Sequence, residues 1–468
     1  MEKPQFPLAL EKTYEDWLAY FERLKQPAYR AGQICAWIWK RGVFDPAEMT
    51  DFGKVLREEL AGRLDFRPPE IVKEERAKDG TKKFLLRMRD GATVETALLK
   101  QGDRLTACLS TQAGCAVGCP FCLTGEGGFA RNLTAGEIAG QLAAMESALG
   151  REINNVVFMG MGEPFLNTDA VFRAVRMLND PKMRGLGIRH MTISTAGIIP
   201  GIAELAESGM GVRLAVSLHA ADDTLRDELV PCNTGYPLKE LLGALRSYQE
   251  KTGDRVTIEY ALFKGVNDSL DHARALVRLL HGLHAFVNLI PGNPGRPGYD
   301  RSDPEDVLRF QSVLKSAGFE SEIRVERGVE IDAACGQLRR SATTPNAEKT
   351  PPPKRAAVRD RKGESGDGNA GRNRKDAPRG DRAGKPGRKD PRGTRGGAAG
   401  AGKDGAPSGP GRPAVRPARG SGGNTRGGDA GISRTKSGDK GSRGPVGRSG
   451  SGGGRPSRGA APRGRDRD

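Results

Sequence analysis

Six short apolar runs recur between residues 154 and 326, separated by helical stretches. They are NNVVFMG (154–160), HMTISTAG (190–197), VRLAVSLHA (212–220), RVTIEYALF (255–263), AFVNLIPG (285–292) and SEIRVE (321–326). Each has the length and composition of a buried strand. Strand and helix in regular alternation predict parallel β/α units. About six such units make an α/β fold of the partial (β/α)6 barrel type. In such folds the chemistry collects in the loops after the C-terminal ends of the strands. One helix is marked at both ends. Thr134 and Glu137 form a capping box, Ile138, Leu142, Met145 and Leu149 keep helical spacing, and Gly150 stops it.

The rest of the chain divides by composition. Residues 341–468 hold 31 Lys/Arg against 12 Asp/Glu, a net charge of +19, whereas residues 1–340 carry −2. The same 128 residues contain 31 of the 65 glycines and no Phe, Trp, Tyr, Leu, Met or Cys. So little apolar surface cannot offset the entropy of ordering, so a disordered basic Arg/Gly-rich tail is expected. Such a tail attracts phosphate without reading sequence, since it has no aromatics to stack on bases. A merely solubilising tail is the alternative. Upstream, residues 1–68 predict a small helical accessory domain in which Ile34, Trp37 and Ile38 share a face, or one that also contacts RNA. Residues 69–104 predict a β-hairpin turning at Asp90–Gly91, with Glu95 in its second strand. A carboxylate there ordinarily faces solvent. Residues 105–340 are the expected barrel with a C-terminal cysteine segment. No signal peptide or membrane span is evident, so a cytoplasmic, soluble protein is expected, and separately a monomer.

All seven cysteines lie in the first 340 residues, and three of them, Cys115, Cys119 and Cys122, form a Cys-x3-Cys-x2-Cys run. The odd number and the clustering argue for metal or redox chemistry rather than a disulfide framework. A closed zinc site needs four ligands, and no second pair stands at ligand spacing. A 4Fe-4S cluster on three thiolates would leave one iron open to a small molecule. Zinc in a non-catalytic RNA-binding protein remains the rival reading.

With Phe121 before its last cysteine, the run resembles the signature of the radical S-adenosylmethionine (SAM) enzymes. That resemblance implies a partial barrel, one 4Fe-4S cluster on Cys115, Cys119 and Cys122, and reductive cleavage of SAM to a 5′-deoxyadenosyl radical. It also implies SAM contacts at Gly162 and Glu163 of GMGEP, Ser194 of ISTAG, Ser217, Leu218 and His219 of SLHA, and Asn288 of NLIPGN. Singly each would be read as a cap or turn residue. At successive strand ends they form a set. The stretches RGVEIDAACGQLR (327–339), RLTACLSTQAGC and FARNLTAGEI resemble the RlmN family of 23S rRNA adenine-2503 and tRNA adenine-37 C2-methyltransferases.

The RlmN resemblance implies more. Cys335 would take a methyl group from one SAM, and a second SAM would supply the radical that activates it. The methylene would join adenine C2, and Cys108 would release the product by forming a disulfide with Cys335. Glu95 would share the proton-acceptor role with Cys108. The partners would be 23S rRNA, tRNA and an electron donor such as a flavodoxin or ferredoxin. Cfr-like C8 methylation of the same adenine uses the same cysteines. Two departures stand out: Glu330, where the family usually has Asp, and the long tail. Cys35 and Cys232 are read as small buried hydrophobes.

Overall fold

The computed structural model describes residues 6–292 and 297–338. The tail, 341–468, lies outside the described residues. In chain order the strands are β1 (Glu70–Arg76), β2 (Lys82–Arg87), β3 (Thr93–Gln101), β4 (Arg104–Cys108), β5 (Gln112–Gly114), β6 (Phe129–Asn132), β7 (Asn155–Phe158), β8 (Met191–Thr195), β9 (Arg213–Ser217), β10 (Val256–Leu262), β11 (Ala285–Pro291) and β12 (Glu320–Ile323). All six apolar runs are strands.

Ten strands form one sheet in the order β1-β2-β3-β4-β7-β8-β9-β10-β11-β12. Within it, every pairing from β4 onward is parallel. Helices such as Ala135–Leu149, Thr168–Asn179, Leu238–Thr252 and Pro304–Ser316 cross between these strands. Strands β1 to β4 are antiparallel. The 69–104 segment is therefore a wing of the barrel sheet, and the boundary expected at residue 104 falls on a hairpin that joins β3 to β4. The helix at 135–149 has the capping box and the left-handed glycine terminator read from its sequence.

The N-terminal helices are Tyr14–Arg23, Tyr29–Cys35 and Lys54–Arg63. Their core is aromatic: Trp17 stacks on Phe21 at 5.8 Å and on Phe66 at 6.1 Å. Ile34 and Ile38 are buried as expected, but the buried tryptophan beside them is Trp39, and Trp37 is only half-buried. The cause is a π turn over Ala36–Lys40, closed by the Arg41 N–H bonding to the Ala36 carbonyl. The extra residue per turn slips the helical phase and rotates Trp39 inward. Trp37, half-buried against the core, lies under the Arg41 guanidinium at 3.9 Å. These helices are tied to the barrel through Gly136, whose N–H donates to Glu11 Oε1 at 2.9 Å. A Cβ there would meet the Leu10 backbone at 2.8 Å, so a side chain would push the two apart.

Candidate active site

The cysteine loop is held at its base. Strands β5 and β6 pair antiparallel on either side of it, with Gly114 opposite Phe129. Gly114 sits at φ +88°, and a Cβ would lie 1.8 Å from the Gly128 carbonyl oxygen, so only glycine closes the clasp. Inside it, the Cys115 N–H donates to Gly128 O at 3.1 Å and the Cys122 N–H to Cys119 O at 3.1 Å. All three thiols line one cavity of about 190 Å³. Burial, and then the neighbouring Cys122, push Cys115 up to about 12, and Cys119 is pushed well above its ordinary value for the same reasons. Such thiols hold their protons until a metal displaces them.

Among the described residues no group of three or more His, Cys, Asp or Glu side chains converges closely enough for a single metal ion. The three cysteines instead line a shared cavity. That donor set suits a group several ångströms across with thiolate ligands, as a 4Fe-4S cluster is, better than one tetrahedral zinc.

The opposite wall is built from strand ends. Gly160, Gly162 and Glu163 come from the loop after β7, Ser194 from β8, Ser217 and His219 from the end of β9, and Glu259 from β10. Gly162 has φ +100°, and a Cβ there would meet Gln112 at 2.5 Å. Glu163 faces inward, but its carboxylate serves the protein. Oε2 accepts from Ala196 N–H at 2.7 Å and Oε1 from Phe165 N–H at 3.1 Å. Burial raises Glu163 to about 7 against these hydrogen bonds. His219 has an unusual left-handed backbone, φ +61°. Its Nδ1 accepts the Ala261 N–H at 2.9 Å, so the ring proton belongs on Nε2. Burial, then Arg226, lowers its pKa to about 3, and the ring stays neutral. Phe121 meets its face edge-on at 5.1 Å.

The Leu218 side chain is buried in the core, leaving only its backbone near the site. Asn288 donates to the Oε2 of Glu259, a cavity-lining residue, at 2.7 Å.

Cys335 lines the same cavity. Its sulfur accepts a hydrogen bond from Arg324 Nη1 at 2.9 Å. Cys335 raises the Arg324 pKa further; burial opposes this, while Glu259 and Cys108 reinforce it. Cys108, at the end of β4, is buried and packs with Ala97 and with Ala333, two residues before Cys335. Burial, then the proximity of Cys335, pushes Cys108 up to about 12. The fold thus sets Cys335 and the cysteine loop around one cavity, with Cys108 buried behind Cys335.

The segment carrying Cys335 has little secondary structure and is tied at both ends. At one end, Gly328 N–H donates to Asp79 Oδ2 at 3.0 Å, Arg327 Nη1 to Lys100 O at 2.7 Å, and Lys78 N–H to the Glu330 carboxylate. At the other, Leu123 N–H donates to Gly336 O at 2.8 Å, and the Thr124 hydroxyl to the Leu338 carbonyl. Glu95 is buried rather than solvent-facing, at 8 % exposure. It is two residues from Ala97, which pairs with Cys108, so it shares that face of the sheet. Lys83 Nζ lies 3.4 Å from its Oε1.

The sequence reading missed Arg324, Glu259 and Arg226. Arg324 directly follows the last strand, and the strand-end rule applied to SEIRVE would have found it. Arg226 sits inside a charged helix, DTLRDEL, with nothing local to set it apart.

Comparison with known proteins agrees with this architecture. Residues 109–279 match the radical SAM superfamily, and residues 10–65 match the ribosomal RNA large subunit methyltransferase N-terminal domain. A probable dual-specificity RNA methyltransferase RlmN from Thermosipho melanesiensis is 47% identical over 332 residues, covering 71% of this chain and 98% of that protein. One from Symbiobacterium thermophilum is 48% identical over 324 residues, covering 68% and 87%. The crystal structure of a radical SAM methyltransferase from Sphaerobacter thermophilus shares 45% identity with a TM-score of 0.69, covering 71% of this chain and 99% of that one. With relatives this similar matched almost end to end, and with a three-cysteine loop at the mouth of a parallel barrel, the chain belongs to the RlmN family of radical SAM RNA methyltransferases.

Proposed function

We propose that this enzyme methylates carbon 2 of adenine-2503 in 23S rRNA and of adenine-37 in tRNAs, through a methyl group carried on Cys335. The observation that carries the reading is the meeting of Cys335, Arg324 and Cys108 beside the cysteine loop. Adenine C2 is electron-poor, so an ordinary displacement on SAM by that carbon is closed. A carbon radical held against the ring is the open route. Cys115, Cys119 and Cys122 would hold the 4Fe-4S cluster, which when bound supplies the electron that cleaves SAM to its deoxyadenosyl radical.

The chain's own groups do the rest. Backbone around Gly162, with Ser194, Ser217, Leu218, His219 and Asn288 or the groups they order, would orient SAM. Glu163 would fix the loops after β7 and β8 through the two N–H groups it accepts and would take the SAM amino group on its remaining lone pairs. Arg324 would hold the Cys335 sulfur as the nucleophile that takes a methyl group from one SAM, a second SAM being spent as radical source. Glu95 and Cys108 would share removal of the C2 proton. The methylene would by then link Cys335 to C2 as a thioether. Attack of the Cys108 thiolate on the Cys335 sulfur would form the disulfide as the S–CH2 bond breaks toward carbon, which takes a proton and leaves as the methyl group of the RNA. Residues 1–68 would contribute an RNA surface, and residues 341–468 a non-specific tether. The enzyme would work as a cytoplasmic monomer with a flavodoxin or ferredoxin as reductant. No described helix is long and apolar enough to cross a membrane.

The test is anaerobic reconstitution followed by reaction with an rRNA fragment and chromatography of the digested nucleosides. Iron-loaded protein that yields 2-methyladenosine supports the proposal. Production of 8-methyladenosine would replace it with the Cfr-like chemistry, and colourless zinc-loaded protein without product would overturn it.

A further inference from the structure

A chain of hydrogen bonds links the strand ends behind the cavity wall, and Arg226 stands in the middle of it. Glu163, after β7, holds the Ala196 N–H, and the Ala196 carbonyl accepts from Arg226 Nη2 at 2.6 Å. Arg226 also donates from Nε to Leu218 O at 3.1 Å and from Nη2 to Ser217 O at 3.3 Å, at the end of β9. The Leu218 N–H in turn donates to Glu259 O on β10 at 3.0 Å.

Arg226 has no measurable exposure. Its remaining hydrogen-bond partner is the amide oxygen of Asn233, which Nη1 meets at 2.6 Å. Among the described residues, every hydrogen-bond partner of this guanidinium is thus a neutral carbonyl. The carboxylates of Asp223 and Asp227 are taken instead by the Asn233 amide nitrogen, at 3.0 and 2.7 Å. A buried cation surrounded by neutral groups is costly unless an anion lies close by. Burial lowers the Arg226 pKa, and Cys232, Cys119 and then the carboxylates of Asp223 and Asp227 oppose it. Cys119 lines the cavity, and Cys232 donates to the same Ala196 carbonyl at 3.6 Å.

We propose that Arg226 is the counter-charge built into the wall for the group that the three cysteines bind, and that it favours that group's reduced form. This rests on the cluster reading of Cys115, Cys119 and Cys122. Three thiolates on a dicationic iron–sulfur core leave a net negative charge, and the electron that reduces it adds another. A fixed cation in low-dielectric surroundings stabilises the more negative state over the less negative one. Arg226 touches no reacting atom. It is a positioning and field-setting residue, and it also ties Ser217 and Leu218 to Ala196.

The experiment compares anaerobically reconstituted wild type, Arg226→Gln and Arg226→Lys by iron content and by redox titration followed by electron paramagnetic resonance with a chemical reductant. The charge role predicts that Arg226→Gln, with its iron loaded, holds about tenfold less reduced cluster at a fixed potential, equivalent to about 59 mV for a one-electron couple. Arg226→Lys, which keeps the charge but not the fork, should stay close to wild type. A wild-type midpoint in fully loaded Arg226→Gln would overturn the proposal. Should the Gln variant hold no cluster, the Lys variant decides: a wild-type midpoint supports the charge role, and the same loss assigns Arg226 to structure alone. Wild-type protein that takes up no iron would overturn the cluster reading and this assignment with it.

Discussion

The cysteine loop and the Cys335 segment deliver thiols to the same cavity by opposite means. The loop is held by its own neighbours. Strands β5 and β6 clasp its base, Gly114 lets them meet, and the Cys122 N–H closes on Cys119. The Cys335 segment has one short 3-10 turn, Val329–Ile331, and hangs between the β1–β2 turn and the residues just after Cys122. A loop of the first kind can be preformed for a cofactor before the rest of the site is ordered. A segment of the second kind is placed only by the finished fold, and weakening its ties should release it while leaving the loop intact.

The largest expected effect falls on the loop. Replacing Cys115, Cys119 or Cys122 with Ala should each abolish iron binding and SAM cleavage, read by iron assay and deoxyadenosine release. Full iron content in all three variants would show that the loop is not the ligand set.

Changes to the redox cysteines should separate the two regions. Cys335→Ala should still cleave SAM yet methylate nothing. Cys108→Ala should accumulate a covalent protein–RNA adduct, visible as a band shifted on a denaturing gel. Normal turnover of the Cys108 variant would remove it from the mechanism.

A smaller loss is expected at the SAM-facing wall. Gly162→Ala must place a Cβ 2.5 Å from Gln112 in a left-handed backbone. Strain of about 1–3 kcal/mol should lower the stability of the fold by that amount, measurable by denaturant titration.

Asp79→Ala probes the tie of the Cys335 segment. Losing the bond to the Gly328 N–H should cost about 0.5–1.5 kcal/mol of docking. Methyl transfer to Cys335 should slow several-fold while cleavage of SAM at the loop is unchanged, and iodoacetamide should label Cys335 faster. Against burial, which raises it, hydrogen bonds from Thr81 and Gly328 hold the Asp79 carboxyl below its ordinary value. Its contribution is therefore complete above the usual aspartate range and is lost as the pH falls through the depressed value. Labelling of Cys335 that is insensitive to the substitution would show that Asp79 does not hold the segment.

The smallest catalytic effect belongs to the tail. Truncation at Ser341 removes a net charge of +19. RNA affinity should fall uniformly across sequences, and the slope of log affinity against log salt should flatten by about 0.7–0.9 for each phosphate the tail no longer neutralises. Single-turnover methylation at saturating RNA should persist. An unchanged salt slope would show that the tail is no tether.

Local patterns determined much of this protein. Strand alternation, the capping box at Thr134 and the three-cysteine spacing are short-range features, and each recurs in the structure where the residues put it. A strand's apolar run and a helix's cap are set by neighbours a few positions away, so they can be read without the fold. The π turn at Ala36–Lys40 marks the limit of such reading: one added residue moved burial from Trp37 to Trp39. Only the tertiary structure decided which charges face inward. Glu95 sits in a strand where carboxylates usually meet water, yet the wing and barrel share one sheet and bury it. Arg226 is one charge among several on its helix, and Arg324 lies beyond the last strand. Their roles come from what the folded sheet and its loops pack against them. Burial in a low-dielectric wall makes an ordinary arginine a fixed field, and no spacing along the chain encodes that.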